Sequence, residues 1–175
     1  MSKSIFIILS VLLFAFCTGQ SVSNKEKNNA GKEKSFENSV YEVAAADKEM
    51  VAAIKTAKKT FDKFETAIKS ENPDFKNFAI KKAFRSNEGD EFIWISPVLF
   101  SKEKNKYVGI INSPPLHTKE VKQDEVVEIE KNEISDWMYF DHDILQGGYT
   151  IRLLRNRMSP EDRKRLDDES GYRFE

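Results

Sequence analysis

The sequence predicts an α+β fold: one amphipathic helix packed on a small, mainly antiparallel, strongly curved sheet, with a short C-terminal helix. Three observations predict it. Apolar residues recur three and four apart from Met50 to Ile68, which places them on one face of a helix. From Phe75 onward the apolar period falls to two, the period of a strand. The links between successive strand-like segments are too short for parallel crossovers, so neighbours must run antiparallel.

Each element follows from local chemistry. Asp47 is a good N-cap, with Glu49 in the first turn of the helix that follows. Met50, Ile54, Ala57, Phe61, Phe64 and Ile68 form its apolar stripe, and Lys55, Lys58, Lys59, Asp62 and Lys63 fall mostly opposite. The helix must end before Asn72-Pro73, because proline disfavours helical geometry in the residue before it. Phe78, Ile80 and Phe84 then alternate with lysines, and Asn87 to Asp90 (NEGD) makes a turn. Phe92 to Val98 (FIWISPV) is apolar on both faces and reads as a central strand, with Trp94 in the core and Pro97 limiting the ladder. Tyr107 to Ile111 completes an antiparallel meander of three. Asn112-Ser113-Pro114-Pro115 stops it, and a loop leads to Asp124. Val126 to Ile129 reads as a half-exposed strand, and Ile134 to Tyr139 as another. Gly147-Gly148 permits a tight bend before Tyr149 to Leu154 (YTIRLL), which the residue types predict to be a final strand. Ser159 and Pro160 open the short C-terminal helix as N-cap and first helical residue.

The N-terminal part of the chain reads differently. Lys3 precedes Ile5 to Phe16, an apolar run broken only by Ser10. That run is shorter than the roughly 20 residues of a membrane-spanning helix, but it suits a signal-peptide core. Cys17-Thr18-Gly19 follows, so cleavage after Gly19 would leave Gln20 as the new N-terminus. Residues 1–19 are therefore read as a signal peptide, 20–39 as a disordered polar tether and 40–175 as a single domain, with Val40 and Val43 around Tyr41 a possible first short strand. The expected location is periplasmic or secreted. The alternative is a lipoprotein anchored through Cys17, although Phe16 before it fits that signal poorly. Cys17 is the only cysteine, so the domain has no disulfide to stabilise it.

Composition narrows the function classes. Lys+Arg number 28 against 29 Asp+Glu, without the cationic excess that phosphate backbones require, so nucleic acid is not an expected partner. No membrane span is expected in the domain. His117 and His142 are too far apart in sequence to share a helix or strand face as metal ligands, and Asp141-His142-Asp143 reads as an exposed turn. Neither a nucleophile elbow nor a glycine-rich phosphate loop is present, so no catalytic residue, metal or cofactor is assigned.

The candidate binding residues are Asp136, Trp137, Tyr139, Tyr149 and Arg152. Asp136 could cap a turn or present a carboxylate, and Trp137 and Tyr139 could line a pocket or fill the core. Arg152 lies in an apolar segment and needs a partner, and antiparallel pairing of its segment with Ile134 to Tyr139 would bring Asp136 beside it. Glu91 is the second candidate carboxylate.

Several segments resemble the YegJ-like family of uncharacterised bacterial proteins, domain of unknown function 2314. They are Asp47-Lys48-Glu49-Met50 with Ala53, Ile54, Ala57 and Phe64; Glu91-Phe92-Ile93-Trp94; Gly109 with Asn112, Pro114 and Pro115; Ile134 to Tyr139; and Gly147 to Arg152. Their order from Asp47 to Leu154 covers nearly the whole expected domain. The resemblance implies a small α+β fold and carries no activity with it. Export, balanced charge and the lack of catalytic motifs lead to the expectation of an exported, non-catalytic binding or interaction protein, with an immunity-like role in blocking another protein as one version. Its partner would be an unknown protein or small ligand in the envelope. The alternative is a small envelope enzyme using Asp136, Glu91 or His117 as acid or base.

Overall fold

Asp47 accepts hydrogen bonds from the backbone of Glu49 and Met50 and so caps the first helix. The computed structural model describes residues 47–174. The signal peptide expected at residues 1–19, the tether expected at 20–39 and the strand expected around Tyr41 lie outside the described residues.

The stripe from Met50 to Ile68 is not one helix but two, α1 (Lys48–Lys59) and α2 (Phe61–Lys69), broken at Thr60. The break has a local cause and a tertiary one. The Thr60 hydroxyl donates back to the carbonyl of Thr56, 2.8 Å away. The carbonyl of Ala57 takes the indole N–H of Trp137 at 2.8 Å, a side chain inserted into the helical ladder. The two helices still present one apolar face.

That face packs on a six-stranded sheet: β1 (Phe75–Phe84), β2 (Glu91–Ser101), β3 (Lys106–Ile111), β4 (Val126–Ile129), β5 (Ile134–Asp141) and β6 (Ile144–Gly147). The order is β4-β3-β2-β1-β5-β6 and every pairing is antiparallel. The meander expected from short connections is β1-β2-β3, with β2 inside the sheet as its two-sided apolar sequence requires. Register shifts interrupt the β1–β5 and β2–β3 pairings, and such bulges bend strands, which is how the sheet curls. A turn at His142 and Asp143, both in left-handed conformation, joins β5 to β6.

The last expected strand is a helix. Tyr149 to Arg157 forms α3, and the strand of this region is β6, just before it. Tyr149, Thr150 and Ile151 are residue types that favour strands, but tertiary context overrides that preference. Gly147 and Gly148 both take positive φ, which turns the chain away from the sheet. A Cβ on Gly147 would lie 2.3 Å from the Trp137 carbonyl oxygen, so the bend is built around Trp137. Helix α4 (Pro160–Ser170) follows with Ser159 as its side-chain cap. The chain end then returns to the sheet, where the Arg173 carbonyl accepts from Leu145 N–H at 2.9 Å. Among the described residues no helix is long and apolar enough to cross a membrane.

Strand alternation gives the sheet two faces. The first, under α1 and α2, holds the main core: Phe61, Phe64, Ile80, Ile95, Ile111, Ile129 and Trp137. The second is covered over β5 and β6, where Ala79, Met138 and Leu145 pack with Tyr172 and Phe174 from the chain end.

Candidate functional site

The expected site residues divide by strand face. Trp137 and Tyr139 of β5 point to the main core, where Tyr139 stacks on Phe78 at 5.3 Å and Trp137 meets Tyr149 edge-on at 5.8 Å. Asp136, one position off, points to the second face and is fully buried. The Asp136 carboxylate thus lies on the opposite face of β5 from the Trp137 and Tyr139 rings.

Asp136 holds the start of α3. Its Oδ1 accepts from Trp137 N–H at 2.8 Å and Tyr149 N–H at 3.2 Å. Its Oδ2 accepts from Thr150 N–H at 2.8 Å and the Thr150 hydroxyl at 2.7 Å. Gly148, the residue at the N-cap position, has no side chain to do this. A carboxylate from a strand therefore supplies the cap and complements the helix dipole. Burial raises the Asp136 pKa above the ordinary carboxylate value, against the pull of these hydrogen bonds.

Asp136 and Arg152 do not pair, contrary to the antiparallel arrangement expected for their segments. Because Tyr149 to Leu154 is helical, the Arg152 guanidinium turns back over the bend and donates to the carbonyls of Gly147, at 2.8 Å, and Leu145. It also lies over the Phe174 ring, 5.6 Å from its centre. Glu91 is likewise engaged with backbone: its carboxylate accepts from Leu116, His117 and Thr118 N–H at 2.7–2.9 Å and fastens the loop between β3 and β4. His117 faces Glu88 at 2.9 Å, half-exposed. His142 is exposed beside Asp141, which holds its pKa above the ordinary histidine value. Among the described residues no three His, Asp or Glu side chains are placed to share a metal ion.

Two residues that sequence reading passed over or misplaced stand out. Lys81 of β1 is buried, 6% exposed, with its Nζ 3.4 Å from the Thr150 hydroxyl oxygen. Desolvation lowers its pKa to about 8, although the nearby Asp136 charge opposes this. Trp94, directly opposite Lys81 on β2, is not in the core as expected; it is half-buried on the second face, its ring 5.6 Å from the ammonium. The apolar run Phe92 to Val98 faces two environments, the closed core through Ile93 and Ile95 and a more open surface through Phe92 and Trp94. Only alternation of burial tells the two apart, and residue type does not reveal it.

Beyond Trp94 the second face stays open. Phe92, Val108 and Ile110 are half-buried, while Leu99 is 71% and Val126 64% exposed. The pairings Leu99–Val108 and Ile110–Val126 place these side chains in adjacent cross-strand rows. Lys104 and Lys106, paired with Glu128 and Glu130, form a charged rim at one end. The site with unfilled capacity is this apolar face with Lys81 and Trp94 at its inner end.

Comparison with known proteins finds relatives and adds no activity. The uncharacterised protein YegJ of Escherichia coli (strain K12) is 29% identical over 150 residues, covering 85% of this chain and 86% of that one. A putative ankyrin repeat protein of Neisseria meningitidis serogroup B is 31% identical over 144 residues; the match takes in 77% of this chain but only 56% of that protein. No solved structure matches the chain. Residues 47–174, every residue the structure describes, match the family described as "Uncharacterized protein conserved in bacteria (DUF2314)", and the chain belongs to that family.

Proposed function

We propose that this protein is an exported, non-catalytic binding protein of the bacterial envelope that meets a protein partner through the open face of β2, β3 and β4. One observation carries the reading. Asp136, Glu91 and Arg152 are each occupied by backbone hydrogen bonds of the fold, while Leu99 and Val126 are mostly exposed to water. A contiguous exposed apolar patch with a charged rim is the common form of a protein-binding surface. The enzyme alternative would require Asp136 or Glu91 to release a structural bond before acting as acid or base, or His117, paired with Glu88, to act from the loop between β3 and β4. An immunity-like role, blocking another protein, is one form of the proposed function. The match to a relative named a putative ankyrin repeat protein, covering 56% of that protein, supports an interaction role.

Export rests on Lys3, the apolar run from Ile5 to Phe16 and the small residues ending at Gly19. The protein would be periplasmic or secreted, with Cys17 the attachment point if it is instead a lipoprotein.

Site-specific photo-crosslinking in cells tests the binding surface. A photoreactive residue at Leu99 or Val126 should trap a discrete adduct, and one at Lys59 on the helix face should not. Equal trapping from both faces, or none from Leu99 and Val126, would sink the proposal.

A further inference from the structure

Lys81 carries the next step. An ammonium has three donors, and among the described residues Lys81 makes one hydrogen bond, a long one of 3.4 Å to Thr150 Oγ1. Its cross-strand neighbour Asp136 does not complete the set. A carboxylate offers about four acceptor positions, and all four on Asp136 are taken by Trp137, Tyr149 and Thr150. The Thr150 hydroxyl hydrogen is directed at Asp136, so that oxygen can only accept from Lys81. The helix start and the ammonium compete for one carboxylate, and the helix start has it. What remains is a buried cation that feels the Asp136 charge but has no carboxylate hydrogen-bonded to it, an arrangement that is costly unless a ligand supplies the missing acceptor.

The position of this cation defines the ligand. Lys81 lies between Trp94 and Asp136 across three adjacent strands, at the inner end of the open apolar face. From Trp94 the surface continues through Phe92, Ile110 and Val108. We infer that Lys81, Thr150 and Trp94 form a binding site for a carboxylate that carries an apolar body, the carboxylate meeting the ammonium and the body lying along Trp94 and Phe92. This inference rests on the open face being a binding surface and names the chemistry its inner end selects. The site explains why a lysine stands where a methionine would fill the volume at no electrostatic cost.

The test uses phenylacetate as probe, with 2-phenylethanol and 2-phenylethylamine as neutral and cationic counterparts of the same shape. The two tryptophans are built-in reporters. Trp94 borders the site, and Trp137, its indole bonded to Ala57 in the core, is the internal control. In a nuclear magnetic resonance titration, phenylacetate should shift the Trp94 indole N–H and leave that of Trp137 in place. It should bind about tenfold or more tighter than the alcohol, the margin expected for a hydrogen bond to a charged group. Lys81→Met should fold and lose that margin, and Lys81→Arg should keep it. Equal binding of acid and alcohol, preference for the amine, an unmoved Trp94, or an undiminished margin in Lys81→Met would each overturn the carboxylate site. If crosslinking through Leu99 survives that result, the binding face stands and only the carboxylate inference falls. If phenylacetate binds and crosslinking fails, the site serves a small ligand and the protein-partner reading falls instead.

Discussion

Replacing Asp136 by alanine would strip three donors at the start of α3, and the Trp137 N–H of β5, of their acceptor at once. Leaving buried donors unmatched and a helix uncapped should cost about 2–4 kcal/mol, read as a lower urea midpoint. Lys81→Met should behave in the opposite way, because removing an under-paired buried charge relieves a desolvation cost. Its pH signature has a definite sign. The folded-state pKa of Lys81, about 8, lies below its ordinary value of 10.5, so its contribution to stability is largest above pH 10.5 and is lost as pH falls through 8. The wild-type protein should therefore gain stability between pH 8 and 10.5 relative to Lys81→Met, and parallel stability curves for the two would contradict this burial. The two tryptophans should also differ. Trp137→Ala opens a core cavity and should cost about 3–5 kcal/mol, whereas Trp94→Ala, at a half-open face, should cost about 1–2 kcal/mol in the same denaturation experiment.

Among elements, α3 depends most on contacts distant in sequence. Its cap comes from β5, its entry bend is shaped around Trp137, and its last turn is tied to the start of α1 through Arg157, which bonds Asp47 and Glu49. The Asp47 pKa is held down to about 2, chiefly by its hydrogen bond to Arg157. Gly147→Ala should be among the most damaging single substitutions, at about 3 kcal/mol or more, because the methyl would meet backbone rather than a movable side chain. Circular dichroism and thermal melting would show it; a Gly147→Ala protein with wild-type melting temperature would mean that the bend is not as described.

At the scale of the whole molecule, closure is uneven. The central strands β2, β1 and β5 have neighbours on both sides, β1 and β5 bury residues on both faces, and β6 is tied to the returning chain end. Strand β4 has four residues and one pairing strand among the described residues. Helix α4 buries no residue and is held to α3 by the bidentate Arg155–Asp167 pair. Amide hydrogen exchange should therefore be slowest in β1, β2 and β5 and fastest in α4 and β4. Protection of β4 equal to that of β2 would show that its outer edge is covered.

The sequence by itself determined most elements and their order. Asp47 and Ser159 announce their helices because an N-cap acts on backbone two or three residues away. The alternation from Phe75 to Ile111 and the short turns leave an antiparallel meander as the only economical arrangement. Short-range causes of this kind are legible in a chain read once. Tertiary structure alone decided the fate of Tyr149 to Arg157, whose helix is capped by a carboxylate thirteen residues upstream and across a hairpin. It also decided the break at Thr60, where the indole of a distant strand enters the helix, and the separation of Asp136 from Arg152. The site was the least legible part. Lys81, between Ile80 and Lys82, looks like any strand lysine, and what makes it unusual is that the carboxylate beside it is already engaged elsewhere. That property belongs to the assembled hydrogen-bond network, since a carboxylate has only so many positions to offer and the fold determines which donors reach them first.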